Sequence, residues 1–173
     1  HLSTRRQRQM CIRDSLTGKS GTGKSELALG LINRGHRLIA DDAVEFSIED
    51  DALIGRCPPM LQDFLEVRGL GILNVRVLFG DTAIKDSKRL QLIINIFHID
   101  ADSLVSLDRL HGMHRACTIL DREVPEVSLP LASGRSIAVL IECAVRNQIL
   151  RLTGYDATEE FIKRQESFRD DHD

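Results

Sequence analysis

The run Gly18-Lys19-Ser20-Gly21-Thr22-Gly23-Lys24-Ser25 fits the pattern G-x-x-x-x-G-K-[ST] and constrains this chain more than any other segment. Glycines let successive backbone N–H groups curl around phosphate oxygens without side-chain clashes. The helix that follows turns its own unpaired N–H groups and positive dipole end towards the same anion. Lys24 is placed to neutralise β- and γ-phosphates, and Ser25 to put its hydroxyl on Mg²⁺. A chance glycine-rich turn before a helix is the bland alternative. The complete motif, opening a helix in the right place, disfavours it.

Alternating helical and extended segments follow. Leu27, Ala28, Leu31 and Ile32 make an apolar helical stripe over 25–33, stopped by Gly35. Residues 36–40 read as a short buried strand ending in Asp41-Asp42, with short strands over 44–48 and 52–54. Pro58-Pro59 breaks the chain, and 60–65 suits a helical turn or two. The alternation over 90–97 suggests a strand with one wetter face, and the polar stretch 100–118 a mobile connection. Residues 124–131 carry two prolines, which predicts an edge strand. Helices are expected over 136–152 and from the Asp156–Glu159 capping box to about Phe168. Before the loop, Met-Cys-Ile-Arg-Asp-Ser-Leu-Thr lacks the buried strand that normally precedes it. Residues 1–15 are therefore set aside as a non-native-looking or disordered segment, with the domain taken as 16–173.

Asp42 stands at the carboxyl end of a strand, where ligand crevices of parallel sheets lie. A carboxylate there holds Mg²⁺ through water or accepts a proton from an attacking hydroxyl, and a solvated acidic turn is the bland alternative. Glu66 and Arg68 could be an ordinary surface ion pair, but two nearby glycines allow close backbone approach. Chain length of 173 residues allows one domain with a real core, and a net charge of −3 argues against a nucleic-acid binder. No apolar run approaches membrane-spanning length. Cys11, Cys57, Cys117 and Cys143 are scattered, as expected of incidental thiols in a reducing, cytoplasmic setting. His98, His111 and His114 are spaced wrongly for a helical metal pair and read as surface histidines.

Four stretches, G-x-S-G-x-G-K-S-E-L-A-L, R-G-H-R-L-I-A-D-D, G-R-C-P-P and L-E-V-R-G-L-G-I-L-N-V-R-x-L-F-G, resemble the catalytic domain of the HPr kinase/phosphorylase family. The resemblance runs from about Leu16 to Phe168 and is similar to proteobacterial members. It implies an α/β P-loop kinase fold of the phosphoenolpyruvate-carboxykinase-like type, a mixed sheet with flanking helices, assembled as a cytoplasmic homo-hexamer. It implies ATP-dependent phosphorylation of a serine on an HPr-type phosphocarrier protein of the sugar phosphotransferase system. The reverse reaction is phosphorolysis, with inorganic phosphate consumed and pyrophosphate released.

Carried over by motif, Gly18 to Ser25 bind ATP, Ser25 and Glu66 bind Mg²⁺, and Lys24, Asp42 and Arg109 are catalytic, Asp42 as general base. The 65–74 signature supports both reactions, and 129–134 matches a loop tied to dephosphorylation. The family's upstream histidine has no match here, and 131–134 lacks an arginine that some members carry. Two rival readings are a P-loop kinase for a small metabolite and a nucleotide-binding fragment without turnover.

Overall fold

A computed structural model describes residues 7–11, 14–99, 112–132 and 136–170. Its frame is a six-stranded mixed sheet in the order β10-β11-β9-β2-β1-β3. These strands are β1 (Gln7–Cys11), β2 (Asp14–Gly18), β3 (Leu38–Ala40), β9 (Leu92–His98), β10 (His114–Ile119) and β11 (Arg122–Leu131). Strands β2, β9 and β11 run parallel, while β1 and β10 pair antiparallel with their neighbours. A three-stranded antiparallel sheet of β4 (Glu45–Glu49), β5 (Ala52–Arg56) and β8 (Ser87–Arg89) covers part of one face. The hairpin β6 (Phe64–Val67) and β7 (Gly71–Asn74) makes the third sheet. Helices α1 (Lys24–Asn33), α2 (Val75–Phe79), α3 (Ile137–Leu152) and α4 (Ala157–Asp170) complete the order.

The strand that seemed missing before the loop is present as β2. It pairs with β9 from Asp14↔Leu92 to Gly18↔Ile96, and Ser15, Leu16 and Thr17 are all buried. Its short polar side chains hid it from a hydrophobicity reading. Thr17 is partnered by the neighbouring strands, its hydroxyl lying 3.4 Å from Asn95 Oδ1, whose amide nitrogen donates to Ser128 Oγ at 3.2 Å, whereas the buried Ser15 hydroxyl has no partner among the described residues. From the segment set aside on sequence grounds, residues 7–11 form β1, and 1–6 and 12–13 lie outside the described residues.

Three further expectations are corrected. Strand β11 is internal, yet its prolines obey the edge rule locally. Pro125 lies where β11 pairs with β10 alone, and Pro130 where it pairs with β9 alone, so neither ring interrupts a two-sided ladder. Residues 114–119, expected within an irregular connection, form β10; Leu120 and Asp121 turn the chain with positive φ, as a tight hairpin demands. Strand β9 keeps its expected asymmetry: Leu92, Ile94 and Ile96 are buried under α1 and α3, whereas on the other face Ile93 is buried but Asn95 and Phe97 are only half-buried. At 60–65 there is a single 3₁₀ turn, Pro59–Leu61, before β6 begins.

Three apolar clusters bind these layers. Leu16, Leu27, Leu31, Ile94, Ile96 and Ile141 join α1 and α3 to the sheet. Ile39, Leu53, Ile93 and Val124 join the two larger sheets. Ala28, Ile32, Leu38, Leu65, Val67 and Val75 clamp the β6–β7 hairpin and α2 against α1. Across the surface, Glu142 of α3 accepts from Arg34 at 2.8 and 2.5 Å and meets His36 Nε2 at 2.9 Å, tying the end of α1 to α3. Those partners hold its carboxyl down at about 2, from an ordinary 4.5. Among the described residues, no helix is long and apolar enough to cross a membrane.

Leu65 is fully buried, so Leu65→Ala is expected to cost about 2–5 kcal/mol, read as a lower urea midpoint at unchanged slope. Because folding depresses the Glu142 pKa, its stabilisation is complete above about 4.5 and fades as pH falls towards about 2. Glu142→Gln should flatten that acid limb of the melting temperature, and an unchanged limb would show that the cluster contributes nothing.

Candidate functional site

The site forms where β2 hands the chain to α1. Gly18 is there because nothing larger fits: a Cβ would lie 2.7 Å from the Ile96 carbonyl oxygen and 2.9 Å from Thr22 Oγ1. Gly21 and Gly23 hold φ of 82° and 81°, the left-handed region that bends the loop back before the helix. Thr22 donates its hydroxyl to the Lys19 carbonyl at 2.9 Å, closing the bend from inside. Lys24, only 5% exposed, points its ammonium at the carbonyls of Lys19 (3.2 Å) and Gly18 (3.5 Å). The loop is thereby held open as a ring of backbone around a cation, with the α1 N-terminus behind it.

The acids arrive from two other elements. Strand β3 ends at Ala40, which sets Asp41 and Asp42 beyond the sheet's edge beside the loop. The Asp41 carboxylate accepts the Glu66 backbone N–H at 2.9 Å, so β6 is pinned to the end of β3. This pin brings Glu66 next to Asp42. A cleft of about 160 Å³ is lined by Ser20, Gly21, Gly23, Lys24, Ser25 and Glu26 from the loop and helix, and by Asp42, Glu66 and Arg68 from across it.

The Asp42 carboxyl lies above its usual range, chiefly because its surroundings strip part of its hydration. Asp41 and Glu66 push it further up by repulsion, and Lys24 pulls it back. A carboxyl so poised holds a proton more readily than a surface aspartate, which suits a group that both takes and returns one.

Of the residues singled out in the sequence, Lys24, Ser25, Asp42 and Glu66 meet in this one cleft, together with most of the glycine-rich loop. Lys19 and Thr22 shape the loop through their hydrogen bonds. Arg109 and His111 lie outside the described residues, as do positions 133 and 134 of the 129–134 loop. One lining residue, Glu26, was given no role in the sequence reading, and Arg68 was named there only beside Glu66 and within the 65–74 signature. Arg68 had been weighed as an ion-pair partner for Glu66, but it stands in the hairpin turn facing Gly21. The glycines at 69 and 71, both at positive φ, were the available signal for that turn. Among the thiols, burial first and then the charges of Asp63, Asp41 and Glu45 push Cys57 up to about 11, which leaves it unreactive.

With that geometry in hand, comparison with known proteins is direct. The family model described as HPr Serine kinase C-terminal domain matches residues 15–165. HPr kinase/phosphorylase from Neisseria meningitidis is 58% identical over 153 residues, which is 88% of this chain and 48% of that protein. The HPr kinase/phosphorylase of Chromobacterium violaceum is 52% identical over 159 residues, 91% of this chain and 50% of its own length. The solved structure of the Hpr(Ser) kinase/phosphatase from Coxiella burnetii superposes with a TM-score of 0.76 at 33% identity, covering 90% of this chain and 95% of that one. The chain thus spans about half the length of these curated relatives.

The contact at Gly18 makes a testable demand. Gly18→Ala should cost about 1–3 kcal/mol through forced displacement of the Ile96 carbonyl or the Thr22 side chain. If an anion such as inorganic pyrophosphate raises the melting temperature of the parent, the same variant should lose that rise. A variant with normal melting and a normal pyrophosphate shift would refute the close approach.

Proposed function

The chain belongs to the HPr kinase/phosphorylase family, in its C-terminal catalytic part, and from that premise we propose that it phosphorylates a serine of an HPr-type phosphocarrier protein. ATP is the donor, and phosphorolysis removes the phosphate again by transferring it to inorganic phosphate, which leaves as pyrophosphate. The observation carrying this reading is the meeting of the glycine-rich loop, Lys24, Asp42 and Glu66 in one cleft. In this reading, residues 16–173 are the catalytic domain. The fold is a P-loop kinase variant of the phosphoenolpyruvate-carboxykinase-like type, which the parallel β2–β9 pair and the loop-to-helix turn support.

In the forward direction Asp42 takes the serine proton as the serine oxygen attacks the γ-phosphorus. The bond from that phosphorus to the β–γ bridging oxygen breaks, and ADP leaves. In the reverse direction an oxygen of inorganic phosphate attacks the phosphoserine phosphorus. The serine oxygen departs with a proton from Asp42, and the joined phosphates leave as pyrophosphate. The two steps differ in the phosphoryl partner, ADP in one and inorganic phosphate in the other, but share the serine oxygen, so the group that takes its proton in one is placed to return it in the other, and a raised carboxyl pKa serves both. Little covalent work falls to the protein, so the rate comes from in-line positioning and charge neutralisation. The loop amides and Lys24 hold the phosphate chain, and Arg109 joins them on the family resemblance.

The Ser25 hydroxyl with the Glu66 and Asp42 carboxylates forms an all-oxygen donor set. Such a set fits Mg²⁺, which binds one or two protein ligands together with substrate phosphates and water instead of a closed protein cage. Among the described residues, no three His, Cys, Asp or Glu side chains form a metal cage by themselves. When bound, Mg²⁺ supplies charge neutralisation between the β- and γ-phosphates. The substrate protein, the homo-hexamer and the cytoplasmic setting belong to the same proposal, and no nucleic acid or membrane enters it.

The test is transfer of labelled γ-phosphate from Mg-ATP to a purified HPr-type protein. Label should appear on serine, and Asp42→Asn should lower the rate by about 10²–10⁴-fold. Undiminished transfer by the variant would remove Asp42 as the base. ATP binding without transfer by the parent chain would instead mark a nucleotide-binding fragment without turnover.

A further inference from the structure

The cleft carries two side-chain cations among the described residues, Lys24 and Arg68, facing the acids Glu26, Asp42 and Glu66. The two cations are differently engaged. Lys24 is buried and already donates towards the carbonyls of Gly18 and Lys19, which fixes it as part of the loop's frame. Arg68 makes no hydrogen bond or ion pair among the described residues. It occupies the first position of the three-residue turn between β6 and β7, a turn closed by Leu70 N–H donating to the Val67 carbonyl at 3.0 Å. That turn carries the guanidinium over the middle of the loop: a Cβ built on Gly21 would stand 3.8 and 3.9 Å from its two terminal nitrogens. Position 21 is a glycine with φ of 82°, so the loop places no side chain at that position against the Arg68 guanidinium.

A uncommitted guanidinium aimed at an anion-binding loop has one evident ligand. Its planar fork offers paired N–H groups to the oxygens of a phosphate, where an ammonium offers only a point charge. We propose that Arg68 is a phosphate-binding residue of this cleft, gripping the phosphate chain from the side opposite the loop and stabilising the phosphoryl group in flight; this rests on the kinase/phosphorylase reading above. The anion it takes is the γ-phosphate of ATP in one direction and the forming pyrophosphate in the other. In both cases charge spreads over the equatorial oxygens of the transferring group, and a fixed guanidinium there is worth most in the transition state. Its carrier is held by defined contacts. The Glu66 N–H donates to Asp41, and Leu65 and Val67 are buried in the core, so Arg68 is delivered from a pinned strand.

The rival explanation is that Arg68 merely offsets the three acids around it. The two differ in what they predict. The experiment compares Arg68→Ala, Arg68→Lys and Lys24→Ala with the parent chain, by calorimetric titration with inorganic pyrophosphate and Mg-ATP and by steady-state kinetics. Arg68→Ala should melt like the parent, since the residue is exposed and has no hydrogen bond or ion pair among the described residues, yet bind pyrophosphate about ten- to a hundredfold more weakly. Its kcat should fall by at least about a hundredfold. Arg68→Lys should restore much of the pyrophosphate affinity and leave kcat low, because charge returns without the fork. A purely structural role would not produce that split. Parent-like pyrophosphate affinity and kcat in Arg68→Ala, with both lost in Lys24→Ala, would overturn the inference and leave the kinase reading standing. A folded parent chain that binds neither pyrophosphate nor Mg-ATP would overturn both.

Discussion

Gly18 lies against the Ile96 carbonyl, and this contact sets where everything else in the site must be. It occurs at the last register pair of β2 with the parallel strand β9, where β2 ends and β9 runs on for two residues to His98. A parallel pair directs both carboxyl ends to the same side of the sheet, so the loop, the helix start and the following chain all gather there. With no side chain at position 18, the backbone turns within the width of one strand, and Lys24 folds its ammonium back onto the carbonyls of the turn. The burial of Leu16, Leu27, Leu31 and Ile96 on the helical side fixes the angle at which α1 leaves. The loop is therefore stiff before any anion arrives, which lowers the entropy lost on binding.

The second half of the site depends on a hydrogen bond of modest strength. The Asp41 carboxylate caps the Glu66 N–H, and the apolar cluster around Leu65, Val67 and Val75 presses the same hairpin onto α1. The hydrophobic contact supplies most of the energy and the hydrogen bond supplies register. Neighbouring residues of one strand then alternate: Leu65 and Val67 are buried while Glu66 is exposed to the cleft. The result is a cleft whose acids outnumber its cations among the described side chains, with the loop amides making up the balance. Crowding of like charge and partial desolvation lift the Asp42 carboxyl, and Lys24 limits the rise. One residue can thus be a base facing a serine hydroxyl and an acid facing a phosphoserine.

Much of this was legible in the chain as written. The motif 18–25, the helix at 25–33, the strand leading to Asp41-Asp42 and the helix near 136–152 follow from spacing and periodicity, and they match α1, β3 and α3 closely. Strand β2 was not legible, because Ser15 and Thr17 are polar and their burial makes sense only beside β9. The prolines of β11 pointed to an edge that exists only piecewise, since its two partners divide the strand between them. Strand β10 was lost in a polar stretch because most of its side chains are exposed, and pairing with β11 is what makes it a strand.

What the sequence determined by itself was local and chemical: an anion-binding loop, a cation and a hydroxyl at fixed positions within it, and a carboxylate placed at a strand's end. These properties depend on residues within one turn of each other, where spacing alone decides geometry. What only the tertiary structure decided was convergence. Positions 24, 42, 66 and 68 come from three places in the fold, the start of α1, the end of β3 and the β6–β7 hairpin, and no short-range pattern records that they line one cleft. Arg68 shows the difference most clearly. In the sequence it is a charged residue beside a glycine and near an acid. In the fold a hairpin turn carries it across to Gly21, because burial of Leu65 and Val67 leaves the turn no other place to go.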